Sequence, residues 1–407
     1  MHAMAALCVS IGRVFAACPV TPDSFTPCEI CAHMPWPPRP VLFRALALLA
    51  CLGSSGCAHT DGALAYYWQS VRGHFQIMQA AAPLDDWIAR DSTSEALRAR
   101  LQLAQRARAF AVTELGLPDN GSYRRYADLQ RPAAVWNVVA APPYALQLHT
   151  WCFPVTGCIG YRGYFTEAAA QAEAARLAAQ GLEVEVYGVP AYSTLGYMNW
   201  MGGDPLLNTF IGWPEGEFVR LLFHELAHQV VYAQGDTLFN ESFATAVERL
   251  GSAQWLATQA SAQARQAFAA SEERRQGFRA LTRATRARLS EIYEQKEALA
   301  HDHQALVAMK NEAMNAFRTR YAALRSTWQA TPAQLAGYDH WVAKANNASF
   351  AAQAAYDEQV PAFEALFEQA GRRWQPFYDE VKKLAALPPL ERSDRLRALR
   401  PPPASAP

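Results

Sequence analysis

An excess of charge is the first thing this chain lacks. Its 407 residues carry 37 basic and 37 acidic side chains, a formal net charge of zero, so there is no basic field to draw in nucleic acid. Long apolar runs are missing as well: the stretch 41–52 is too short to span a bilayer as a mature helix. Glycine and proline are absent from Phe278 to Thr331, which removes the usual helix breakers from that whole stretch. Cysteine is scarce in the part that folds. Of eight cysteines, six lie at or before residue 57, leaving Cys152 and Cys158.

The early cysteines belong to an N-terminus with its own logic. Arg39 and Arg44 flank the apolar run, and small residues 53–56 lead to Cys57, which is the layout of a secretory signal. Gly56-Cys57 resembles a lipoprotein processing site, so Cys57 is expected to be lipidated and to become the first mature residue. Met34 stands immediately before this signal, while residues 1–33 carry four cysteines and no secretory pattern. The reading is therefore a start at Met34, with 1–33 a misassigned extension and 34–56 the signal peptide. The alternative is a genuine extension built on Cys28 and Cys31. A periplasm-facing location in a bacterial cell envelope is oxidising, which permits a disulfide between Cys152 and Cys158; two buried thiols are the other reading. Ala58, in place of an aspartate after the lipidated cysteine, favours the outer membrane.

The chemistry is concentrated in His224-Glu225-Leu226-Ala227-His228 and, twelve residues on, Asn240-Glu241-Ser242-Phe243-Ala244. At 3.6 residues per turn, His224 and His228 share a helical face, so both imidazoles can reach one cation. Zinc held by three protein ligands keeps a further position for water and lowers its pKa. Glu225, about 100° round the helix, is placed to take that water's proton and pass it to a leaving amine. Phe218, Val219, Leu221, Leu222, Phe223, Leu226, Val230 and Val231 make the helix apolar nearly all round, as a core element requires. For the third ligand Glu241 leads and Glu248 follows: Gly235 is expected to close the first helix, Asp236 to cap the next, and an antiparallel return to bring Glu241 to the metal.

These two motifs resemble the gluzincin class of zinc metallopeptidases, and Asn240–Ala244 is similar to the NEGFA of zinc aminopeptidases. A broader likeness runs through Tyr66–Val71, Cys152–Pro154 with Gly157-Cys158, Tyr161–Phe165, Gly188–Gly196 and Gly235–Glu248. Together they resemble the bacterial putative aminopeptidase family of zinc-dependent lipoproteins. The resemblance implies aminopeptidase activity on a peptide substrate; the competing readings are a zinc endopeptidase and a non-catalytic, zinc-stabilised lipoprotein that binds a partner.

The expected fold is α+β and predominantly helical, with a small sheet beside the zinc helix and a long helical hairpin in the C-terminal half. Helices are expected over 66–82 and 84–115, strands over 135–140, 161–165 and 182–189, and an alanine-rich helix over 166–180 ended by Gly181. Tyr192, after the last strand, is the candidate substrate-facing or oxyanion-stabilising hydroxyl. The loop at Gly202–Pro205 is a candidate for the site's mouth. Phe278, Ile292, Leu299 and Leu306 recur at sevens, and because one helix would extend ~80 Å, a turn is expected near His301–His303. Asn346 and Asn347 are expected to cap a helix. The domain reading is 57–250 catalytic, 251–393 helical and 394–407 a disordered tail; composition leaves the oligomeric state open.

Overall fold

The computed structural model describes residues 60–153, 157–196, 199–295, 303–354 and 359–400. The expectations for residues 1–56, Met34, Cys57, His301 and the chain beyond residue 400 lie outside the described residues.

The chain opens with α1 (Thr60–Ala80), β1 (Ala82–Pro83), α2 (Leu84–Ala89) and α3 (Glu95–Thr113). One helix was expected over 84–115, but Thr93 Oγ1 donates to the Trp87 carbonyl at 2.6 Å and the Ser94 hydroxyl accepts from Leu97 N–H. Such side-chain to backbone bonds end one helix and start the next. Next come β2 (Arg125–Ala127), β3 (Val135–Ala141), β4 (Trp151–Phe153), β5 (Gly157–Ile159), β6 (Arg162–Tyr164), α4 (Glu167–Ala178) and β7 (Glu183–Val189). Thr166 caps α4, and Gly181, with φ +82°, lets the chain turn from it into β7.

The antiparallel sheet β6-β3-β7 has Val135 opposite Val189 and Asn137 opposite both Gly163 and Tyr187. Every residue of β3 is buried, since α4 and a later helix, Asn347–Ala354, cover it. Two smaller sheets are additional to the expectation: β1-β2-β8, and the β4-β5 hairpin in which a disulfide joins Cys152 to Cys158. Their strands are only two or three residues long, too short for alternation to register.

The second half is helical: after β8 (Leu206–Leu207) run α5 (Asn208–Ile211), α6 (Glu215–Ala227), α7 (Thr237–Thr258), α8 (Ala262–Glu294), α9 (His303–Ser326), α10 (Pro332–Lys344), α11 (Asn347–Ala354), α12 (Val360–Gln369), α13 (Trp374–Ala386) and α14 (Pro389–Leu399). The fold is thus α+β and predominantly helical. Helices α8 and α9 are two long limbs packed on each other around Phe278, Leu289, Ile292, Leu306 and Phe317. Asn346 caps α11, accepting from Ala348 N–H at 2.9 Å.

Three boundaries differ from expectation. Gly235 does not close α6, which stops at Ala227 with His228 as its C-cap; Val230 and Val231 follow the helix, and Gly235, φ +77°, turns the chain just before the Asp236 cap. The division at 250/251 falls inside α7, and one hydrophobic core runs from Ile77 to Leu396. Residues 394–399 are not tail but the last turns of α14, anchored by buried Arg392 and Leu396. Arg392 meets Asp236 at 3.0 Å, tying that helix to the start of α7.

Candidate metal centre

Buried Phe218, Val219, Leu222, Phe223, Leu226 and Ala227 set α6 in the core, and Glu215 and Glu217 lie in the first turn, where carboxylates suit the helix dipole. Helix α7 packs directly beside it. Its start is fixed twice over. Asp236 accepts from Phe239 N–H at 3.0 Å, and the Asn240 amide both accepts from Ala233 N–H at 2.7 Å and donates to the Ala233 carbonyl at 2.8 Å. Asn240 thereby clamps the loop against α7 and sets the height at which its neighbour Glu241 faces α6.

Three ligand atoms then converge. His224 Nε2 lies 3.2 Å from His228 Nε2 and 3.3 Å from Glu241 Oε2, and His228 Nε2 lies 3.7 Å from Glu241 Oε2. Tetrahedral coordination with bonds of ~2.0–2.1 Å separates donors by ~3.3–3.5 Å, so the triad fits one small cation. His228 and Glu241 are each 2% exposed, and burial of such groups is costly without compensating charge. The three residues are therefore a set that can hold a metal.

Glu248, the second candidate ligand, holds the other ring nitrogen of His224: its Oε2 lies 2.8 Å from His224 Nδ1. Its Oε1 accepts from Arg220 Nε at 2.8 Å and also from Arg220 Nη2. Burial would raise the Glu248 carboxyl, but Arg220 and His224 outweigh it and hold it at about 2. A carboxylate on Nδ1 fixes ring orientation and leaves Nε2 for the metal.

Glu225 is 3% exposed, and its Oε2 has no hydrogen-bond partner among the described residues. Burial raises its pKa, against the pull of His224 and His228, which makes it a better proton acceptor than a surface glutamate.

The centre opens into a cleft of about 290 Å³. One wall is the sheet and its approach, with Asn137, Tyr161, Tyr187 and Val189; Thr245 of α7 and Arg279 of α8 complete it. Burial pushes the Tyr187 hydroxyl up to about 12, so it stays a donor, and Asn137 Nδ2 approaches it at 3.5 Å. Tyr192 is not on this wall. It packs in the core with its hydroxyl 2.9 Å from His74 Nδ1, and the tyrosines that line the cleft are Tyr161 and Tyr187 instead. Asp204 is likewise buried rather than at a mouth: it accepts from Thr194 N–H at 2.9 Å, and burial raises its carboxyl to about 7. The sequence reading passed over Asn137, Tyr161, Tyr187, Arg220 and Arg279. Tyr161 stands inside a noted block, whereas Arg279 has no local signal, being brought in by the packing of α8 on α6.

No curated protein and no solved structure matches the chain. A family model described as "Putative aminopeptidase" matches residues 65–396, a span that takes in every residue of this centre, and the chain belongs to that family.

Proposed function

We propose that this protein is a zinc metallopeptidase that removes residues from the amino terminus of peptides. The observation that carries the proposal is the buried triad His224, His228 and Glu241 with Glu225 beside it, whose Oε2 has no hydrogen-bond partner among the described residues. Two imidazoles and one carboxylate suit zinc, and family membership supports a peptidase. Zinc in that triad supplies Lewis acidity that polarises the scissile carbonyl and activates a water. Glu225 accepts the water's proton and returns it to the leaving amine as the C–N bond breaks. Glu248, locked by Arg220, keeps His224 oriented throughout. The Tyr187 hydroxyl, which burial keeps protonated, donates to the developing oxyanion.

An aminopeptidase also needs an acceptor for the substrate's ammonium. Asn137 meets that need: it is 4% exposed, lies in the cleft wall, and its Oδ1 has no hydrogen-bond partner among the described residues. A structural, non-catalytic centre would give Glu225 no reason to stand buried with an Oε2 that no described residue bonds. The envelope setting is also part of the proposal: a diacylated Cys57 would anchor the enzyme, with the periplasm as its workplace and the outer membrane as its home.

The test is cleavage of an aminoacyl fluorogenic panel and its N-acetylated counterparts. Loss of turnover on acetylation supports the aminopeptidase; equal cleavage of blocked peptides replaces it with an endopeptidase, and turnover of neither overturns the catalytic reading.

A further inference from the structure

Helix α1 has two faces of opposite character. Tyr66, Ser70, Gly73, His74, Ile77 and Met78 form its buried stripe, at the i, i+4, i+7, i+8 spacing of one helical side. That side is seated closely: the Tyr66 ring lies tilted against Phe153 and edge-on to Tyr164, and a Cβ on Gly73 would come within 2.1 Å of the Phe165 ring. Rotation of α1 about its axis is therefore blocked, and its other face is fixed in space. That face carries Trp68, Arg72, Phe75 and Gln79, all exposed and all within about 60° of one another on the helix. Trp68 is 71% exposed and Phe75 45%, two of the five large apolar side chains left in water among the described residues.

Two aromatic rings seven residues apart with an arginine between them match the chemistry of a bilayer interface. Indole and phenyl rings settle at headgroup level, and a guanidinium pairs with lipid phosphate. Chain length gives the same partner. Cys57 precedes Thr60 by three residues, which span at most ~10 Å when extended. Trp68 follows eight helical steps later, ~12 Å along the axis. A lipid on Cys57 thus holds Trp68 within about 22 Å of the membrane, with no long tether to let it leave.

We infer that the Trp68–Arg72–Phe75 face of α1 lies on the lipid surface that holds the anchor, so that the enzyme is docked in one orientation rather than dangling. This rests on the lipid-anchored reading of Cys57. The experiment uses the processed full chain, extracted from membranes and returned to vesicles of phosphatidylethanolamine and phosphatidylglycerol. A fluorophore is placed through Gln79→Cys on this face or through Arg320→Cys on α9, and quenching by aqueous iodide is read with and without vesicles. Mass spectrometry of the N-terminal peptide reports acylation in the same sample.

The expected result is loss of most iodide quenching at position 79 on vesicles, none at position 320, and recovery at 79 in the Trp68→Ser/Phe75→Ser chain. An acylated chain quenched equally at both positions overturns the docked face while leaving the anchor intact. Shielding at 79 that persists without vesicles overturns it in favour of a second copy of the chain on α1. An unacylated Cys57 removes the anchor and the inference together.

Discussion

Helices α6 and α7 bury charge, whereas α8 and α9 bury almost none. Glu225, His228, Glu241, Glu248 and Arg220 all sit below a tenth exposed in the first pair, where ion pairs link Arg220 to Glu248 and the histidines to Glu241 and Glu248. In the second pair Arg274 is the one charged side chain below a tenth exposed among the described residues, and the contact is an apolar seam of Phe278, Leu289, Ile292, Leu306 and Phe317. Buried ionic groups are seldom a net source of stability, so the first pair is expected to be tuned for chemistry and the second for holding the fold. The limbs still meet: Glu272 of α8 approaches Arg220 at 3.5 Å, and Arg279 of α8 lines the cleft.

The sharpest break of this contrast is Glu225→Gln. It should lower turnover by about 10³-fold or more while the melting temperature holds or rises, because a proton-transfer group is lost and a buried carboxylate is neutralised. Steady-state kinetics beside a thermal melt checks both. The converse change is Phe317→Ala in the seam, expected to cost about 3–5 kcal/mol of stability and to leave kcat nearly unchanged in the molecules that remain folded. Denaturant unfolding with activity per folded molecule separates the two. A smaller effect is expected from Glu248→Gln. His224 keeps its place but loses its charged partner, and zinc affinity should fall about 10–100-fold, as competition with a chelator would show.

His74 extends the comparison to a buried imidazole with no carboxylate beside it. Burial depresses its pKa from the ordinary 6.5 to about 4. A group whose folded pKa is lowered gives stability that is complete above the unfolded value and is lost as pH falls through the folded one. The wild type should therefore lose on the order of 2–3 kcal/mol between about pH 6.5 and 4 through this residue, and His74→Gln should flatten that slope in unfolding measured across the window.

The same contrast explains what the sequence could say. His224, Glu225, His228 and Glu241 stand within eighteen residues on two adjacent helices, so helical periodicity and one reversal suffice to bring them together. The arm was legible for a similar reason: a breaker-free stretch with sevenfold apolar spacing has few other solutions. Tyr192 misled because proximity in sequence to the β7 edge says nothing of which side a residue faces after Pro190, and it turned inward to His74. Asn137 and Arg279 were invisible because neither lies in a periodic or spaced pattern with the histidines. Their place in the cleft depends on sheet register and on how α8 crosses α6, contacts separated by tens of residues.

The most direct test of the central claim is the zinc content and affinity of the purified chain beside Glu225→Gln and Glu241→Gln. The account predicts about one tightly held zinc per chain in the wild type and in Glu225→Gln, and its loss in Glu241→Gln. A wild type that takes up no zinc, or a Glu241→Gln chain that holds it as tightly, would contradict it.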